Sequence, residues 1–291
     1  MRKLEFLINE AKLSTNTTDI NSVSTVLCTQ YMNRIHSYVE DLLFLVNDEN
    51  DLFVADYLFQ LVPGQDEYDL PINIYAKSSV DNLAVSFLNG LSNTFLPLKK
   101  VSRKQQGFTF GYFIRDNKIV LTPRPTSPLN MKLAYVRKLP TLGPRIGAAI
   151  SSAGAGTVTT GTVTIDNLTV VDDYFSTVDS TGTITSYNNK ILTYTLSTGV
   201  ITFTAGTGAI ANGQYVIPGK YATSHSQLPD ECEKYLIMAL ERMIQYRQSS
   251  PDVKVSSLFS AEELTTLKEV FADNSYDDAK PPVTEWQEWL P

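Results

Sequence analysis

The sequence predicts an α+β fold: a discontinuous helical bundle built from both chain ends, an antiparallel β domain, a Thr/Gly-rich β insertion, and an extended C-terminal tail. Three observations predict it. Apolar residues recur at helical spacing near both termini. Between them, β-branched and aromatic runs alternate with Gly, Pro and Asn punctuation. From about Ala148 to Gly219 the chain almost stops using charge, with Lys190 its only basic residue there. A chain of 291 residues is long for one compact core. It divides into N-terminal helices of the bundle (1–50), an antiparallel β region (51–140) and the Thr/Gly-rich β insertion (141–225). C-terminal helices (226–272) complete the bundle, and an extended docking tail (273–291) ends the chain.

Leu4, Leu7, Ile8 and Ala11 fall on one face of a short helix that the polar run Ser14 to Asp19 interrupts. A longer helix is expected from about Ile20 to Val46, with Val23, Val26, Leu27, Tyr31, Ile35, Tyr38, Leu42 and Leu45 inward. Asp48, Glu49 and Asp51 end it, since negative charge opposes a helix C-terminus. Strands begin near Leu52, and Leu58–Leu61 with Tyr68–Leu70 read as a hairpin closed by Pro63-Gly64-Gln65-Asp66. Further strands are Leu83–Phe87, Phe95–Val101, Phe108–Arg115, Lys118–Thr122 and Met131–Val136. Asp116-Asn117 makes a tight turn, because Asn tolerates positive φ, and Pro123, Pro125 and Pro128 stop the strand that follows.

The Thr/Gly block supplies six short strands: Thr157–Thr159, Thr162–Ile165, Tyr174–Val178, Thr183–Tyr187, Ile191–Leu196 and Val200–Phe203. Pro229 suits a first helical position and is followed by Asp230 and Glu231. Cys232, Tyr235, Leu236, Ala239, Leu240 and Met243 then trace a buried stripe to about Arg247. Ser260 with Glu263 forms a capping box for a last helix that turns Leu264, Leu267 and Phe271 inward. Asp273 to Pro282 is acidic and Pro-bearing, a composition that does not fold alone. Both tryptophans of the chain, Trp286 and Trp289, lie in the closing segment Glu285-Trp286-Gln287-Glu288-Trp289-Leu290.

The formal net charge of −7 argues against tight nucleic-acid binding, which needs clustered Lys and Arg. Cys28 and Cys232 are far apart and read as buried thiols of a reducing compartment. Glu5, Asn9 and Glu10 interrupt any signal-peptide core, and no run is long enough to span a membrane, so a soluble protein is expected. His36 reads as a partly exposed helix histidine, and no Cys or His cluster has metal-ligand spacing. Gly154, Gly156 and Gly161 read as a connector rather than a phosphate cradle. Of the paired carboxylates a glycosidase would need, Asp172-Asp173 suits a turn and Glu262-Glu263 suits cap chemistry. Neither a catalytic residue nor a cofactor is expected. Two binding candidates remain. Lys99, Lys100, Arg103 and Lys104 form a basic patch that is either a solvated rim or a contact with nucleic acid or an acidic partner surface. Trp286, Trp289 and Leu290 suit partner anchors, because Trp is costly to expose and typical of interface centres.

The order of four segments resembles the head-to-tail adaptor (connector or neck ring) proteins of short-tailed bacteriophages. They are Leu61-Val62-Pro63-Gly64-Gln65-Asp66-Glu67-Tyr68-Asp69-Leu70-Pro71, Ile114-Arg115-Asp116-Asn117-Lys118-Ile119-Val120-Leu121-Thr122-Pro123, Leu133-Ala134-Tyr135-Val136-Arg137-Lys138-Leu139-Pro140 and Leu228-Pro229-Asp230-Glu231-Cys232-Glu233-Lys234-Tyr235-Leu236. The resemblance implies a structural virion protein in a homo-oligomeric, dodecameric ring. Its partners would be the portal protein on one side and the next tail or nozzle ring protein on the other. DNA would pass through the lumen without specific binding. The resemblance places the protein in the neck of a virion, after synthesis in the host cytoplasm. Two rivals remain: a tail-associated β protein that binds a host surface, and a cell-wall hydrolase of the neck.

Overall fold

The computed structural model describes residues 3–15, 23–46, 53–75, 83–90, 93–102, 110–160, 174–195, 198–247 and 254–273. The chain is mixed α and β, with its strands paired almost wholly antiparallel. It opens with α1 (Leu4–Ser14), α2 (Thr25–Val46), β1 (Val54–Gln60), β2 (Glu67–Asp69), β3 (Ala84–Asn89) and β4 (Thr94–Pro97). There follow β5 (Gly111–Arg115), β6 (Lys118–Thr122), β7 (Asn130–Val136), β8 (Thr141–Leu142), β9 (Ser152–Gly154) and β10 (Thr157–Thr159). It closes with β11 (Tyr174–Val178), β12 (Ile184–Thr195), β13 (Val200–Thr204), β14 (Thr207–Gly208), β15 (Tyr215–Pro218) and β16 (Ala222–Thr223). Then come α3 (Asp230–Arg247), a 3-10 turn over Val255–Leu258, and α4 (Ala261–Asp273).

The helices from the two chain ends share one apolar cluster. Leu4, Leu7, Ile8 and Ala11 of α1 meet Leu236, Leu240 and Met243 of α3, with Met32, Ile35 and Leu43 of α2 and Leu267 of α4. The stripe read for α3 is buried throughout. The one read for α2 is rotated: Cys28, Met32, Ile35, Val39 and Leu43 are innermost, Leu27, Tyr31, Tyr38 and Leu42 flank them, and Leu45 is 82% exposed. A helix so rich in apolar residues offers several stripes, and packing selects one. The helix also starts later than read, at Thr25, where the Ser24 hydroxyl accepts from the Leu27 amide at 3.3 Å. Both cysteines are buried thiols in this core, and burial pushes Cys232 up to about 12.

The β region forms two sheets, ordered β1-β7-β3-β4 and β2-β6-β5. This corrects the hairpin expected across residues 63–66. β1 pairs with β7 along its whole length, from Val54↔Val136 to Gln60↔Asn130, whereas β2 pairs with β6. The Pro63–Asp66 segment therefore crosses from one sheet to the other. Its shape is held by Tyr68, whose hydroxyl accepts from the Val62 amide at 2.8 Å. The turn at Asp116-Asn117 has the expected positive φ at both residues, 48° and 63°, and joins β5 to β6.

In the Thr/Gly-rich stretch one sheet runs β15-β11-β12-β13-β10-β9, with β14 attached to β12. The two strands expected at Thr183–Tyr187 and Ile191–Leu196 are one strand, β12, which passes through Asn188 at φ 59°. Asn accepts the left-handed region that would end a strand of most residues. Gly154 and Gly156 belong to the β9–β10 hairpin rather than to a connector. The strand expected at Thr162–Ile165, Gly161 and the Asp172-Asp173 pair lie outside the described residues. The stretch is entered and left through β8 and β16, which pair in parallel as Thr141↔Ala222 and Leu142↔Thr223.

Candidate functional site

A broad concavity lies where the β region, the Thr/Gly-rich sheet and the helical core meet. Helix α2 sets it up. Asn33 uses its side-chain amide like a strand backbone, donating to the Leu142 carbonyl at 2.8 Å and accepting from its amide at 2.7 Å. Two turns onward on the same face, the buried Glu40 carboxylate accepts from the Leu139 amide at 2.6 Å, and the adjacent Asp41 accepts from the Tyr75 hydroxyl at 2.5 Å. Desolvation, followed by that bond to Asp41, raises the Tyr75 pKa well above the phenolic range. Leu139 and Leu142 join the helical cluster, so the exit from β7 is fixed at both backbone and side chain.

On this fixed exit stands a group of tyrosines. Tyr135, near the end of β7, donates to Asn73 Oδ1 at 2.8 Å, and Asn73 Nδ2 donates to the Tyr221 hydroxyl at 3.3 Å. Tyr221 meets Tyr187 of β12 edge to face at 5.4 Å. Burial pushes Tyr135 up to about 12 and raises Tyr221 as well, while the nearby Arg137 acts in the opposite sense on both. The Tyr135 and Tyr221 phenols therefore stay protonated at neutral pH; Tyr135 donates to Asn73 and Tyr221 accepts from it. Beside them opens a cleft of about 450 Å³, lined by Ile72, Asn73, Lys138, Leu139, Lys220 and Tyr221 among others. Leu139 and Tyr221 also border a smaller cleft of about 170 Å³ that includes Arg137 and Gln227. The larger one offers an apolar floor under an ammonium rim: a place to seat a ring beside a carboxylate.

No protein-family model matches the chain, and no curated protein matches it in sequence. Its own geometry is the guide to function.

Of the basic patch, Lys99 and Lys100 are exposed beyond β4, where the Lys99 carbonyl accepts from the Tyr112 amide at 3.0 Å. Neither lines the cleft. Arg103 and Lys104 lie outside the described residues, as do Trp286, Trp289 and Leu290. His36 corrects the reading of a partly exposed helix histidine: it is 3% exposed, its Nε2 has no partner among the described residues, and burial with help from Lys138 lowers its pKa to about 4. Glu263 is committed to structure. Both its oxygens accept from Arg242 at 2.7 Å and one accepts from the Ser260 amide at 2.7 Å, which holds the carboxyl at about 2. Among the described residues, no three His, Cys, Asp or Glu side chains are grouped to hold a metal, and no helix is long and apolar enough to cross a membrane.

Sequence reasoning missed the cleft, although Tyr135, Lys138 and Leu139 stand in one of the quoted segments. Interleaved aromatic and basic residues there were a local signal. Nothing local linked them to Asn73, Tyr187 or Tyr221, which come from distant parts of the chain.

Proposed function

We propose that the protein is a structural virion component, a head-to-tail adaptor whose copies form a ring between portal and tail and continue the DNA channel. The observation that carries this reading is how the β sheets are mounted. A single apolar cluster draws on helices from both chain ends, so the bundle is discontinuous and the β parts are excursions from it. The Thr/Gly-rich insertion leaves at β8 and returns beside it at β16, a narrow stem on a rigid base. Such a mount displays surface without disturbing the core, which suits a spacer between two larger rings.

Charge supports the same reading. A net charge of −7 per copy gives a ring whose lumen repels phosphate instead of gripping it. The tail anchors Trp286, Trp289 and Leu290 would engage the portal or a neighbouring copy, and Lys99, Lys100, Arg103 and Lys104 an acidic partner surface. Electron microscopy of the protein mixed with isolated portal rings tests the proposal. An added coaxial ring is the expected result. Density at the virion periphery would favour a host-surface-binding protein, and lysis zones on a cell-wall zymogram a hydrolase.

A further inference from the structure

We infer that the cleft beside Tyr221 is the receptor for the C-terminal tail of a second copy of this chain, seating Trp286 or Trp289 on its apolar floor. The floor is Ile72, Leu139 and Tyr221, and the exposed Lys138 and Lys220 stand at its rim. Neither lysine makes an ion pair among the described residues; Lys220 instead lies over the Tyr174 ring at 4.5 Å. At about 450 Å³ the space falls within the roughly 300–1,000 Å³ of sites that enclose a small molecule, enough for an indole and its neighbours.

The tail is complementary to this surface in charge and in apolar content. Residues 274–291 carry Asp277, Asp278, Glu285 and Glu288 against a single Lys280. Glu285 immediately precedes Trp286 and Glu288 immediately precedes Trp289, so each indole arrives with a carboxylate beside it. That pairing matches an apolar floor under two ammonium groups. The 18 residues after Asp273 span roughly 60 Å when extended, at about 3.3 Å each, enough to reach a neighbouring copy. Tail and cleft are different surfaces, and a head-to-tail contact of that kind closes into a ring when its rotation fits. The choice of a second copy as the source rests on the ring proposal above.

Both tryptophans lie in the tail, so intrinsic Trp emission of the full-length protein reports on the tail alone. Emission should be blue-shifted at high protein concentration and move to the red on dilution. Lys138→Glu with Lys220→Glu should weaken this association by roughly tenfold or more and reverse its salt dependence, since added salt then screens a repulsion. Adding Glu285→Lys and Glu288→Lys to that variant should restore it, which a merely misfolded protein could not do. Unchanged emission in the Lys138→Glu/Lys220→Glu protein overturns the inference. So does blue emission independent of concentration, which places the tail on its own subunit. Portal mixtures imaged in parallel separate the two proposals. Rings that assemble while the emission ignores charge reversal overturn the cleft and keep the ring; docked tails without rings overturn the ring and keep the cleft as a receptor.

Discussion

In the helical core the fully buried side chains include Leu7, Met32, Ile35, Leu43, Leu236 and Leu240; in the Thr/Gly-rich sheet Phe175 and Val216 share that depth with Ser176, Thr177, Ser186 and Asn189. The core is held by apolar area removed from water, a force without direction. The sheet has an apolar cluster of its own around Phe175, Ile201 and Val216, and adds to it directed bonds between small polar groups. Ser176 Oγ donates to the Gly219 carbonyl at 3.0 Å and accepts from the Ala222 amide at 3.1 Å. Thr223 Oγ1 donates to the Gly182 carbonyl at 2.6 Å. Asn189 binds the Phe175 carbonyl, the Ser186 hydroxyl and the Gly206 amide. The helical region should therefore tolerate changes of shape at constant volume, whereas the Thr/Gly-rich sheet should tolerate few changes of chemistry.

The largest expected effect is in the helices. Leu236→Ala leaves a cavity where α1, α2 and α3 meet and should cost about 2–5 kcal/mol, read as a lower midpoint of one cooperative denaturant transition. Leu236→Met should cost less than about 1.5 kcal/mol. In the Thr/Gly-rich sheet, Asn189→Ala removes one partner from two buried groups and from the Gly206 amide, and should cost about 1–3 kcal/mol. Hydrogen exchange should then accelerate in β11–β14 and leave α1–α3 protected; uniform acceleration would show that the two regions unfold as one.

A third prediction uses pH. His36 is held neutral, with a pKa of about 4 against an ordinary 6.5, so the unfolded chain takes up the proton first as pH falls. Stability should decline between those two values, by on the order of 3 kcal/mol. His36→Leu should flatten that limb and cost nothing at neutral pH, because Nε2 has no partner to lose among the described residues. Urea melts across the acid range check both. The smallest effect belongs to the surface. Glu263→Gln should cost about 1 kcal/mol at neutral pH by weakening the cap on α4 and its pair with Arg242. Because the folded carboxyl titrates near 2 rather than 4.5, that difference should hold above 4.5 and vanish as pH falls through 2.

What the sequence determined by itself was whatever depends on neighbours a few residues apart. The α+β class, the buried stripe of α3, the Asp116-Asn117 turn and the Ser260–Glu263 cap all rest on such local rules. Tertiary structure decided the rest. Which strand takes β1 was settled by a seven-residue match with β7, far along the chain, that no turn between β1 and β2 could outweigh. Asn188 carried β12 through a conformation that reads locally as an end, since pairing on either side and the Lys220 carbonyl hold it there. His36 lost its water only because other elements closed over it, and burial is a property of the assembled core, not of a residue's neighbours in sequence. The cleft beside Tyr221 has the same origin. Its floor and rim come from three separate segments, which the Lys138 amide joins through the Asn73 carbonyl and the Thr141 amide through the Tyr221 carbonyl, while α2 fixes the β7 exit beneath them.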